Sequence, residues 1–183
     1  MRFTFFKKII LIAALGCFLF SCSSDLDFEQ AKEFNVQPVV TTNLAYIKAD
    51  ASKFILSGAE SPLLSYTSNV DFLNSSFVEE DLVKTELYFR IKNTISRPFM
   101  FNVSFLDVDG KPIYNLRMDI PAAAVTEVIV EKTETFSATN VEILKNTAQM
   151  SFSILMLNGD PITDATPGRI ELSSSITAYF DIQ

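Results

Sequence analysis

From residue 39 onward, apolar and polar residues alternate with a period of two. Leu87, Phe89 and Ile91 alternate with Glu86, Tyr88, Arg90 and Lys92, and Phe99, Phe101, Val103 and Phe105 with Met100, Asn102 and Ser104. Met150, Phe152, Ile154 and Met156 alternate with Ser151 and Ser153 in the same way. Ile170, Leu172, Ile176, Ala178, Phe180 and Ile182 do so over the last strand. Successive side chains of a strand point to opposite faces, so each run predicts a strand with one buried and one wet face. Weaker alternation predicts further strands near 39–48, 66–73, 112–119 and 125–133.

Turn residues punctuate these runs. Ser96-Arg97-Pro98 parts the first two, and Asp109-Gly110-Lys111-Pro112 closes a hairpin into Ile113-Tyr114. Asn158-Gly159-Asp160-Pro161 and Pro167-Gly168 bracket the last loop. Seven or eight antiparallel strands, each with one apolar face, bury those faces against one another as two sheets. The expected fold is therefore all-β: an antiparallel, immunoglobulin-like β-sandwich, with an eight-stranded barrel as the alternative. Thr139 and Glu142 match a capping box, and Val141, Leu144 and Ala148 follow at helical spacing. This predicts one short helix near 139–147.

Before residue 39 the pattern changes twice. Ile9–Phe20 is a continuous apolar stretch that follows Arg2, Lys7 and Lys8. A membrane-spanning helix needs about 20 apolar residues, so this stretch reads as the h-region of a signal peptide over residues 1–21. An uncleaved signal anchor is the alternative. The run ends in Leu19-Phe20-Ser21-Cys22, which resembles the lipobox of bacterial lipoproteins, with Phe20 bulkier than the usual residue there. The resemblance implies cleavage before Cys22 and attachment of palmitate-type acyl chains to that residue. Two or three such chains hold a protein to a membrane durably, at about 0.8 kcal/mol per buried CH₂.

Residues 22–38 then form a polar tether, which could reach roughly 50 Å when extended, and residues 39–183 form the sandwich domain. Ser23 beside the cysteine resembles outer-membrane sorting, and Ser24-Asp25-Leu26-Asp27 resembles surface-export signals. The motif Asn93-Thr94-Ile95, with Phe99–Asp109, Pro112-Ile113-Tyr114 and Gly168–Ile182, resembles a group of small uncharacterised lipoproteins of outer-membrane-bearing bacteria. That resemblance implies a localisation, the cell outer membrane, and no activity.

Composition narrows the chemistry. Of the 15 basic residues, Arg2, Lys7 and Lys8 precede Cys22, leaving 12 against 22 acidic ones beyond it, a net charge of −10. Such a surface repels nucleic acid and favours solubility. There is no His, and the two cysteines are Cys17, within the apolar run, and Cys22. Histidine-dependent catalysis, thiol nucleophiles, zinc sites and disulfides of the domain are therefore not expected. No phosphate-binding glycine loop occurs among the five glycines.

Three features still carry candidate chemistry. Asp107 and Asp109 could offer oxygens to calcium, but the rest of an EF-hand loop is missing and a hairpin turn explains them. Glu79-Glu80-Asp81 could supply a carboxylate, but reads as a solvated acidic loop. Tyr88 and Tyr179 could stack on sugars, or simply pack across strands. The sequence thus predicts no catalytic, cofactor or metal site. It predicts a non-enzymatic envelope module attached to the membrane through Cys22, with an unidentified envelope protein or glycan as partner. The alternative is a protein that binds a glycan or a small apolar ligand and assists its uptake.

Overall fold

The computed structural model describes residues 35–182. The signal peptide, Cys22 and most of the tether expected from the sequence lie outside them. Val36–Ile182 is a compact unit with its own apolar core, the form of a domain that folds by itself.

The described residues form ten strands: β1 (Val39–Asp50), β2 (Ile55–Leu56), β3 (Ala59–Glu60), β4 (Leu63–Asn69), β5 (Leu82–Asn93), β6 (Phe99–Leu106), β7 (Pro112–Ile120), β8 (Val128–Ser137), β9 (Gln149–Met156) and β10 (Arg169–Phe180). Two short helices are described, α1 (Ser76–Asp81) and α2 (Val141–Lys145). Two four-stranded antiparallel sheets run β1-β10-β5-β8 and β4-β9-β6-β7. The expected sandwich is thus present, wired as a jelly roll rather than in the immunoglobulin order.

The wiring follows from one rolled-up hairpin. Val39 opposes Tyr179, Leu63 opposes Leu155, Lys84 opposes Ser137 and Phe99 opposes Ile120. Each pair is centred within about two residues of the Asp109-Gly110 turn, so four nested pairs share one pivot. At that pivot the Asp107 carboxylate accepts from the amides of Asp109 and Lys111, both at 2.9 Å, and Gly110 takes φ +75°. The turn uses Asp107 as a backbone cap, as Asx turns do.

The sheets meet through aromatic rings. Phe89 of β5 lies 5.9 Å from Phe101 of β6, and Phe136 of β8 lies 5.6 Å from Phe105. All four are fully buried. At the open edge between β7 and β8, Tyr114 closes the core edge-on against Phe105 and Phe136. Its hydroxyl donates to Glu134 at 2.6 Å. That bond and partial burial push the Tyr114 phenol up to about 12. Among the described residues no ladder joins β7 to β8, so the barrel alternative does not form.

Local details depart from the sequence expectations where polar side chains compete for the backbone. The helix near 139–147 begins at Val141, and its N-cap is Asn140, not Thr139. Asn140 Oδ1 instead accepts from Ser137 N at 2.7 Å, and no side-chain cap bond forms. Glu79-Glu80-Asp81 is not a loop but the end of α1, whose N-cap Ser75 accepts from Val78 N. The strand expected at 66–73 ends at Asn69 and gives way to a 3-10 turn, Asp71–Asn74. The strand expected at 125–133 runs from Val128 to Ser137. Among the described residues no helix is long and apolar enough to cross a membrane.

Candidate functional site

Where β1 and β5 begin and β10 ends, sheet β1-β10-β5-β8 carries Val40, Ala178 and Thr85 on its inner face. The link between β4 and β5, the 3-10 turn followed by α1, lies over its inner face there. Lys145 of α2 steadies α1 by donating to the Glu79 carbonyl at 2.7 Å.

The register of three strands leaves a hollow under this cover. Val40 opposes Ala178 and Ala178 opposes Thr85, so the three form one row across β1, β10 and β5. The next rows carry Ile176 beside Leu87 and Phe180 beside Leu82. A methyl group at Ala178 between larger neighbours makes a depression rather than a ridge. The result is a cleft of about 240 Å³.

Its floor is the buried set Leu73, Val78, Leu82, Ile176 and Phe180, and its rim is Val40, Phe72 and Phe77, each close to half exposed. Phe77 of α1 stacks at 4.5 Å on Phe180, forming one wall. No charged residue is found among the described lining. An exposed apolar rim around an apolar floor is the usual form of a small-molecule site.

Thr85 is the exception within this lining. It is fully buried, and its hydroxyl has no hydrogen-bond partner among the described residues. A buried hydroxyl left unpaired costs about 1–3 kcal/mol, so its presence calls for an explanation. Among the described residues, the other buried side-chain oxygen without a partner, Oδ1 of Asp181, belongs to the neighbouring hollow beside Lys84 and Val83. Thr85 does not stand out in the sequence, because the apolar alternation of β5 is clear only from Leu87 onward. Extended back by two, the pattern puts a threonine at an inward position, and that polar break was the available signal.

The residues singled out from sequence are scattered and engaged elsewhere. Asp107 and Asp109 sit in the hairpin turn at the pivot. Tyr88 and Tyr179 are half-buried on the outer face of the first sheet, where Tyr88 donates to Glu131 at 2.8 Å and Tyr179 to Glu86 at 3.1 Å. The bond to Glu131 raises the Tyr88 phenol above its ordinary range. Lys84 lies 4.6 Å over the Tyr179 ring and pairs with Glu86 at 2.7 Å. That pairing raises the lysine and, with the Tyr179 hydroxyl, lowers the glutamate. The Tyr179 ring is thus already occupied by a cation, and cross-strand packing accounts for both tyrosines.

Asn93-Thr94-Ile95 is a structural corner. Asn93 donates to the carbonyls of Arg97 and Pro121 and accepts from Ile95 N, all at 2.9 Å. Thr94 backs directly onto Gly168, where an added Cβ would stand 2.5 Å from the Thr94 carbonyl oxygen. Only glycine fits that approach at φ +101°.

No family model and no curated protein matches the chain. Among solved structures it is similar to the VP2 subviral particle of infectious bursal disease virus, with TM-score 0.45, 8% identity, and 78% of this chain and 32% of that one covered. It is also similar to a putative secreted protein from Parabacteroides distasonis, with TM-score 0.41, 10% identity and coverage of 63% and 38%. The Desmodium yellow mottle tymovirus structure gives TM-score 0.32 and 10% identity, with 82% and 85% covered. The chain spans about a third of the length of the first two. At these scores the fold rests on the strand order described above, and function rests on the site.

Proposed function

We propose that this chain is a non-enzymatic lipoprotein of the cell outer membrane, held there by acyl chains on Cys22, whose jelly-roll domain binds a small apolar ligand. The observation that carries the ligand reading is the apolar cleft under α1. Three features support it: the cleft is concave, its rim leaves aromatic surface exposed, and the small residue at its centre is what keeps it open. The glycan alternative is less favoured, because the tyrosines that would stack on a sugar are tied to glutamates and a lysine.

The cleft is tested by filling it. The soluble chain begun at Ser23 should bind ethylbenzene saturably, one molecule per chain, in a ligand-observed NMR titration. Ala178→Phe should weaken that binding by about tenfold or more, since the ring would occupy the hollow, while the melting temperature stays close to that of the parent. Undiminished binding to Ala178→Phe would remove the cleft from consideration. The anchor has its own test. Cys22→Ala should leave the precursor uncleaved by the lipoprotein-specific peptidase and unlabelled by a fatty-acid probe, and normal labelling would contradict the anchor.

A further inference from the structure

We infer that the cleft selects an uncharged molecule bearing one hydroxyl or carbonyl oxygen on an apolar body, with the Thr85 hydroxyl as its polar anchor. This rests on the cleft's being a ligand site and specifies which ligands it takes. Size comes from the hollow. A 150 Å³ apolar cavity accommodates benzene, so 240 Å³ has room for roughly nine or ten heavy atoms by proportion.

Charge comes from the walls. The described lining offers no charged side chain, and an ionised group brought inside would lose its hydration without a partner. The other hydroxyls at the cleft are differently placed. Thr42 is exposed on the rim, and Ser75 is occupied, donating to the Phe72 carbonyl at 2.8 Å and capping α1. That leaves Thr85, fully buried and unpaired, in the same row as the small residue that opens the hollow. A threonine hydroxyl both donates and accepts, so it serves an alcohol, a phenol or a ketone alike. Valine has nearly the same shape and would fit the inward position of a strand without an unpaired oxygen. Threonine there is unfavourable for the empty fold and useful for a bound oxygen.

The test compares two probes of equal size, 4-ethylphenol and 4-ethyltoluene, on the soluble chain begun at Ser23 and on its Thr85→Val and Thr85→Ser variants. Thr85→Val should weaken 4-ethylphenol by about fivefold, the size of one net hydrogen bond, and leave 4-ethyltoluene unchanged or tighter. Thr85→Ser, which keeps the hydroxyl, should retain the parent's preference between the probes. The melting temperature of Thr85→Val should equal or exceed the parent's, because no internal hydrogen bond is lost. A fall in melting temperature, or equal effects on the two probes, would overturn the anchor while leaving the cleft as a ligand site. Binding of charged 4-ethylbenzoate as tight as 4-ethylphenol would overturn the uncharged class. Failure of both neutral probes to bind the parent would overturn the ligand reading itself.

Discussion

Phe101→Ala should destabilise the domain by about 3–5 kcal/mol, the cost of lost transfer energy plus an unfilled cavity at a closely packed site. Phe101 has no exposed surface, and its ring lies among Phe89 across the sandwich and Phe152 on the neighbouring strand. Total stability of such domains is about 5–15 kcal/mol, so the variant approaches the limit of folding. Asn102→Ala, one residue along, removes a side chain on the outer face whose described bond, to Ser104 Oγ, is 3.0 Å and partly solvated. It should move stability by under about 1 kcal/mol. Chemical denaturation of the chain begun at Ser23 measures both. Equal losses would contradict the alternating burial on which the sandwich depends.

Arg97→Met should cost about 3 kcal/mol or more, for an electrostatic reason instead of a packing one. Arg97 is 5% exposed, and its guanidinium bonds both to the loop that follows β9 and to Glu60 of β3. Nε donates to the Leu157 carbonyl at 2.6 Å, and Nη1 to the carbonyls of Gly159, at 2.9 Å, and Asp160. Nη2 pairs with Glu60 of β3 at 3.1 Å. Glu60 in turn accepts from Ile162 N at 2.9 Å, so the β2–β3 hairpin and the loop before β10 share one cation. Methionine preserves the stem and leaves those carbonyls without donors. Glu60→Gln, which keeps the shape and one acceptor at a partly exposed carboxylate, should cost about 1 kcal/mol. Denaturant midpoints for the two variants check the ordering, and a smaller loss at Arg97 than at Glu60 would refute it.

Much of the fold was legible because β5, β6, β7, β9 and β10 each bury one face. β6 and β9 carry uninterrupted apolar inward rows, whereas Thr85 interrupts that of β5 and Ser174 that of β10. β8 was misplaced because its inward positions include Lys132 and Glu134, which sit at the open edge of the core and pair there at 3.3 Å. An edge strand guarded by inward charges has no simple binary pattern. The six-residue α1 is too short for a helical period to show. At Thr139 the capping signature was real as a motif, but Asn140 spent its side chain on Ser137 instead.

Connectivity was illegible for a different reason. Strand faces are encoded locally, but which edges meet is decided by nesting about the Asp109-Gly110 turn, over separations that reach 140 residues between Val39 and Tyr179. The cleft depends on that same long-range information. Val40, Ala178 and Thr85 are unremarkable in sequence and form a row only once the register joins β1, β10 and β5.

The most direct test of the ligand-binding account is a methyl NMR spectrum of the chain begun at Ser23, recorded as 4-ethylphenol is added. Shifts that saturate together and are confined to Val40, Leu73, Val78, Leu82, Thr85, Ile176 and Ala178 would agree with a single molecule seated under α1. Shifts spread over the outer faces without saturation, or centred on the hollow between β1 and β4 near Tyr46 and Tyr66, would contradict it.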